Sequence, residues 1–275
     1  MKVLAIGATG TYAGLVVPAL VSRGIEVRAL VHDPAKADIP RAAGAREIVH
    51  GDLGDRTSLD AAMAGMDGVF LITPAFAPDA TRLALNAVGA AVRAGVRKMV
   101  YSGVYHPSLS LVNHADTRAV EEALYRSELA FVVLQPAMFL QGLAGAYQQA
   151  LESGTVVMPW SKHSRMTYVD YRDVADVVAT AFTGDTLDQG TFELAAPGTH
   201  DRVSIAALMS EVAGRELTAE DPNGLPPGQP EGLTAMFQDY DRFGLHGGNA
   251  LVLRSVLRRE PRGLKDFLTE LGGRS

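Results

Sequence analysis

The sequence predicts a doubly wound α/β domain followed by a smaller cap. Short β-rich apolar runs alternate with longer segments of helical periodicity through the first half. Those runs are almost continuously apolar, as strands of a parallel sheet covered by helices on both faces must be. The first run ends in a glycine-rich turn that leads into a helical segment. A chain of 275 residues, 47% hydrophobic and 20% charged, supports one large core, or a main domain with an appendage.

In chain order, "KVLAIG" predicts the first strand and "AGLVVPALVSRG" the helix that returns from it. "EVRALV" and "REIVHGD" follow as strands, then "SLDAAMAG" as a helix, "GVFLITP" as a strand and "DATRLALNAVGAAVRAG" as a long helix. "KMVYSG", the helical "TRAVEEALYRSE" and "FVVLQP" complete the alternation. From about residue 150 the pattern weakens: "GTVVMPWSKHSRMTYVD" reads as strand, loop and strand, "YRDVADVVATAFTG" as a helix, and "QGTFELAAP" as a strand. "EDPNGLPPGQPEG" is rich in Pro and Gly and predicts a surface loop. Residues 1–153 are therefore expected to form the sheet domain, and 154–275 a smaller substrate-binding region partly interleaved with the sheet.

Composition removes several function classes. The net charge is −6 with scattered basic residues, which argues against a nucleic-acid partner. The absence of cysteine excludes disulfides, thiolate catalysis and sulfur-ligated metals. The histidines, His32, His50, His106, His114, His163, His200 and His246, form no local metal motif, so no metal site is expected. Nothing in the sequence is long and apolar enough to span a bilayer, so no membrane partner and a cytoplasmic location are expected. An oligomer is compatible with the sequence.

The turn "GATGTYAG" carries the chemistry. Gly7 lets the chain bend sharply at the strand end, Gly10 lets backbone N–H groups approach a pyrophosphate, and Ala13 is small enough for close helix-to-strand packing. The spacing G-x-x-G-x-x-A, with Thr9, Thr11 and Tyr12 between, predicts a dinucleotide site. At the second strand tip His32 and Lys36 favour the extra phosphate of NADP(H), whereas Asp33 favours NAD(H) or merely caps a solvated helix; NADP(H) is preferred, with NAD(H) the alternative. Asp52 and Leu53 are placed to meet the adenine, and Asp55 to start the next helix.

Together with "ALVHDPAKA", "GDLGDRTSLDAAMAGMDGVFLITP", "VEEALYRSELAFVVLQPAMF" and "MTYVDYRDVADVVATAF", this turn resembles the NmrA-like family of atypical short-chain dehydrogenase/reductases over nearly the whole chain. The resemblance implies a Rossmann-type NAD(P)-binding domain with a small substrate domain. It implies that Thr73, Pro74, Ser102, Gly103, Pro136 and Phe139 surround the nicotinamide side of the cleft. Members of the family include reductases of quinones and triphenylmethane dyes, tailoring enzymes, and regulators that bind dinucleotide without turnover. The chain departs from the family by carrying His32 where NADP-using members have Arg. It also has Thr117 and Arg118 near the position of a family Lys that contacts the nicotinamide ribose.

Classical short-chain dehydrogenases protonate the carbonyl through a Tyr with Lys four residues on. None of Tyr12, Tyr101, Tyr105, Tyr125, Tyr147, Tyr168, Tyr171 or Tyr240 has Lys at that spacing. Hydride transfer itself needs no side-chain acid. "VYSGVYHPS" offers Ser102, Tyr105 and His106 as candidate catalytic groups beyond the fifth strand; the structural alternative is a packing loop. His114 is equally compatible with a structural place near a helix start. Asp170 and Asp173 read as groups at a helix entrance rather than a catalytic pair. Met158, Trp160, Met236, Phe237 and Tyr240 are either substrate-pocket lining or ordinary core.

These readings lead to an NAD(P)H-dependent reductase passing hydride to a conjugated, apolar or aromatic small molecule such as a quinone or dye. The alternative is a non-catalytic NAD(P)-binding redox sensor acting through a protein partner. A nucleotide-sugar modifying enzyme is less favoured.

Overall fold

The computed structural model describes residues 1–225 and 227–273. Its centre is a seven-stranded sheet of order β10-β6-β5-β4-β1-β2-β3. The strands are β1 (Lys2–Ile6), β2 (Glu26–Val31), β3 (Glu47–His50), β4 (Gly68–Ile72), β5 (Lys98–Ser102), β6 (Ala130–Pro136) and, at the edge, β10 (Gly190–Leu194). β1 pairs in parallel with both β2 and β4, so strand order reverses at β1, and the crevice above its carboxyl end is where such sheets bind ligands.

The connecting helices are α1 (Val16–Ser22), α2 (Asp38–Ala42), α3 (Arg56–Met63), α4 (Ala80–Arg93) and α5 (Val112–Tyr125). Alternation along each strand divides the core between the two sheet faces. Leu4, Ile6, Val69, Leu71, Met99, Tyr101 and Val133 join one cluster with Leu59 and Met63 of α3, Ala84, Ala87 and Ala91 of α4, and Val120 and Leu124 of α5. On the other face the ring of Phe182 lies so close to Gly68 that a Cβ there would sit 2.6 Å from it. Phe182 belongs to α7 (Tyr171–Thr183).

The chain divides into two compact units, Met1–Pro136 with Val174–Glu193, and Ala137–Asp173 with Leu194–Ser275. The sheet unit thus takes back most of α7 and β10 late in the chain. The second unit contains β7 (Met138–Phe139), α6 (Leu143–Ser153), β8 (Thr155–Val157), β9 (Tyr168–Val169), α8 (Arg202–Ala213), β11 (Thr218–Glu220), α9 (Glu231–Phe243), α10 (Leu251–Leu257) and α11 (Leu264–Gly272). β7 pairs with β9 and β8 with β11, both in parallel. α6 ends at Gly154 and α8 at Gly214, each in the left-handed conformation that closes a helix. The described residues of the Pro/Gly-rich segment after β11 carry no helix or strand before α9; its Pro226 lies outside them.

Local detail differs from the sequence pattern at two helix starts. The first long helix is replaced by a 3-10 turn, Ala13–Leu15, followed by the seven-residue α1. Pro18 is tolerated there because an N–H in the first helical turn has no intrahelical acceptor. α5 begins at Val112, five residues before the quoted pattern, which makes His114 a buried residue of its first turn. No helix among the described residues is long and apolar enough to cross a membrane.

Candidate functional site

The glycine turn is built by its own backbone. Gly7 takes φ +90°, and Gly10 N–H donates to Gly7 O at 2.9 Å, as does Gly14 N–H to Gly10 O. Neither Thr9 nor Thr11 commits its N–H to these bonds. A Cβ on Gly7 would collide with Ile72, and Ala13, 3% exposed, fills the remaining space behind the turn. A Cβ on Gly10 would fall 3.2 Å from Gly7 O. At Gly7 and Gly10 the turn lacks side chains, which fits the close backbone approach a diphosphate needs. Burial raises the pKa of Tyr12, which starts the 3-10 turn, and keeps its phenol neutral.

At the adjacent strand tips, His32 and Asp52 are both exposed, with Nδ1 3.7 Å from Oδ2. Asp33 caps the short 3-10 turn Pro34–Lys36, accepting from Ala35 N–H at 3.0 Å, and Lys36 is exposed. Asp52 Oδ1 accepts from Gly54 N–H at 2.7 Å, and Leu53 O accepts from Asn86 Nδ2 at 2.9 Å, so this loop is preformed. Asp55 caps α3 through Thr57 N–H.

On the far side of β1, Thr73 and Pro74 follow β4, and Ser102, buried, ends β5. Gly103 N–H donates to Leu134 O at 2.8 Å, and Tyr105 N–H to Pro136 O at 3.0 Å, which ties this loop to β6. Tyr101 hydrogen-bonds Thr73, yet burial dominates and holds its phenol well above the usual range. Beneath the loop lies a carboxylate that sequence reasoning did not single out. Glu121 is 6% exposed and accepts two bonds from Gln135 Nε2, at 2.9 and 3.1 Å, and one from Tyr125 OH at 3.1 Å. Its signal was present: Thr117, Val120, Glu121 and Leu124 form the buried stripe of α5 at helical spacing. Thr117 spends its hydroxyl on His114 O, and Arg118 is exposed.

Tyr105 is 3% exposed, and its ring centroid is 3.9 Å from that of His106. Burial, then the charge of Glu193, raises the Tyr105 pKa, which leaves a neutral phenol. His106 adopts φ +54°, unusual for a residue with a Cβ, and its Nδ1 is 2.9 Å from Glu193 Oε1. Nothing local in the sequence announces Glu193, because β10 delivers it from 87 residues away. The sheet unit thus contains every anticipated cofactor residue except Phe139, which lies in β7 of the second unit with its ring edge-on to Tyr171 at 4.7 Å.

In the second unit, Met158 and Phe237 line a cavity of about 310 Å³ together with Val157, Pro159 and Pro222. Trp160, in contrast, is core: it is 8% exposed and packs against Phe237 and edge-on against Tyr240. Asp170 and Asp173 are fully buried and engaged by arginines. Asp170 accepts from Gln141 at 2.7 Å and from the N–H and guanidinium of Arg172, and Asp173 from Arg259 and Arg262. These contacts support the structural reading of both carboxylates. Among the described residues no group of three or more His, Asp or Glu is arranged to hold a metal ion.

The model of the NmrA-like family matches residues 1–243. An NAD(P)H azoreductase from Xenophilus azovorans is 31% identical over 78% of this chain and 75% of its own. Quinone oxidoreductase 2 of Escherichia coli is 24% identical over 88% and 87%. The crystal structure of Citrobacter sp. triphenylmethane reductase complexed with NADP(H) superposes with a TM-score of 0.85 at 21% identity, covering 98% of this chain and 100% of that one.

Proposed function

The chain belongs to the NmrA-like family, and from that premise we propose that it is an NAD(P)H-dependent reductase of conjugated or aromatic small molecules, such as quinones or dyes, with NADP(H) preferred. The observation that carries the proposal is the turn whose Gly7 and Gly10 leave the backbone bare, placed where strand order reverses, in a chain 31% identical to an NAD(P)H azoreductase. The bound cofactor supplies hydride, so the protein's task is orientation and proton supply.

Gly7, Thr9, Gly10, Thr11, Tyr12 and Ala13 would receive the diphosphate, and His32 with Lys36 the adenosine 2′-phosphate. Asp52 and Leu53 would border the adenine. Thr73, Pro74, Ser102, Gly103, Pro136 and Phe139 would bound the nicotinamide. Ser102, Tyr105 and His106 are the groups that would orient the acceptor or supply its proton, in a chain without the Tyr-x-x-x-Lys pair. Incubation with NADPH and a panel of quinones, azo dyes and enones should show acceptor-dependent loss of reduced-nicotinamide absorbance. Tight NADPH binding without turnover of any acceptor would instead favour the redox-sensor reading, which the missing Tyr/Lys pair motivates.

A further inference from the structure

We propose that Glu193 is a positioning residue that holds the His106 imidazole as its Nδ1–H tautomer, so that Nε2 is the nitrogen that delivers a proton to the reduced acceptor. The inference rests on the reductase reading and names the machinery for its second half-step.

β10 presents Thr191 and Glu193 on one face, two residues apart. Thr191 Oγ1 meets Tyr125 OH at 3.0 Å, and Glu193 Oε1 meets His106 Nδ1 at 2.9 Å. The same edge strand therefore reaches both α5 and the loop beyond β5. A carboxylate can only accept, so Nδ1 carries the hydrogen and the neutral ring keeps its lone pair on Nε2.

The histidine is held by more than this contact. His114 Nδ1 lies 3.0 Å from His106 O; a carbonyl only accepts, so the buried His114 donates to the backbone of His106. Leu109 N–H donates to the same oxygen at 3.0 Å. The Tyr105 ring lies against the imidazole, tilted by 41°. These contacts keep a residue with a Cβ at φ +54°, a conformation that persists only where its surroundings impose it. Glu193 from β10 and Tyr105 from its own loop both face the imidazole, and His114 of α5 lies on the backbone side.

The step balances simply. Hydride reaches a neutral acceptor as NADPH becomes NADP⁺, and the acceptor carries the negative charge on its quinone oxygen or azo nitrogen. The Nε2–H bond of the imidazolium breaks, and an O–H or N–H bond forms on the acceptor. The imidazole is left neutral with hydrogen on Nδ1. At 33% side-chain exposure, His106 regains its proton from solvent.

The test uses ¹⁵N-labelled full-length protein and two-bond ¹⁵N–¹H correlation of the histidine rings, with no cofactor present. His106→Asn identifies the signals, because Asn tolerates the left-handed backbone. Wild type should show protonated Nδ1 in the neutral ring, Glu193→Ala should lose this preference, and Glu193→Gln, which retains an acceptor oxygen, should keep it. In turnover with NADPH and a quinone, Glu193→Ala should lower kcat about tenfold or more, leave the Kd for NADPH unchanged and alter the alkaline side of the kcat profile. Glu193→Gln should recover part of the loss. An Nε2–H tautomer in wild type, or an active wild type matched by Glu193→Ala in kcat and pH profile, would overturn this inference alone. A wild type that turns over no acceptor would overturn the reductase reading, and the proton-delivery role with it, whatever the nitrogen signals show.

Discussion

A Cβ placed on Gly7 would lie 2.6 Å from Cγ2 of Ile72, so the turn after β1 and the end of β4 are fitted to each other at the one residue that has no side chain. Because Gly7 also takes φ +90°, Gly7→Ala meets both backbone strain and a clash that Ile72 must relieve by moving. The substitution should cost about 2 kcal/mol of stability. It should also weaken NADPH binding, since the turn's N–H groups are re-aimed. Urea unfolding and calorimetry on one preparation check both; unchanged NADPH affinity would remove the turn from the cofactor site.

Selectivity for the 2′-phosphate is separable from the turn. His32 and Lys36 are exposed, and His32 already faces Asp52, whose charge opposes a phosphate at the same place. Replacing both His32 and Lys36 with Ala should weaken NADPH roughly tenfold, from about 1.5 kcal/mol for a charged hydrogen bond, and leave NADH unaffected. Equal losses for the two cofactors, measured by titration, would show that these side chains do not select.

Most of the sheet was legible because its signals are local. β1, β2, β4, β5 and β6 are short apolar runs bounded by turn residues, and the glycine spacing sits at the end of the first. The caps of Asp33 and Asp55 were legible for the same reason. What escaped is long-range. Lys98 reads as a strand residue, yet it is 7% exposed and its Nζ donates to Ala181 O at 2.9 Å and Gly184 O at 2.5 Å, tying β5 to the end of α7. Glu193 reaches His106, and Arg259 and Arg262 reach Asp173, across similar sequence separations. No periodicity encodes such pairings; only the tertiary fold brings them together.

Arg202 is a second buried charge without a sequence signal. Its side chain is fully buried and donates to the carbonyls of Met158, Trp160 and Glu220, with Asp221 3.9 Å away. Burial lowers its pKa, but the guanidinium remains a fork that one ammonium cannot reproduce. Arg202→Lys should therefore destabilise the protein by about 3 kcal/mol, because buried carbonyls on two chain segments lose their donor. A change below 1 kcal/mol in urea unfolding would mean that water replaces the fork.

Acid should weaken the fold through Asp170. Burial opposes its ionisation, but the Arg172 guanidinium, the Arg172 N–H and Gln141 together outweigh burial and hold its pKa below the usual carboxylate range. A carboxyl whose folded pKa lies below its unfolded value stabilises the fold fully above the unfolded value, about 3.9, and loses that contribution as pH falls through the folded one. Asp170→Asn should thus cost about 3 kcal/mol at pH 7, where it strands Arg172 beside Glu270 alone. The gap between variant and wild type should narrow once the pH drops below about 4. Stability curves in urea between pH 3 and 7 measure this directly, and a gap that stays constant across that range would show that the folded protein does not hold the Asp170 pKa below its unfolded value.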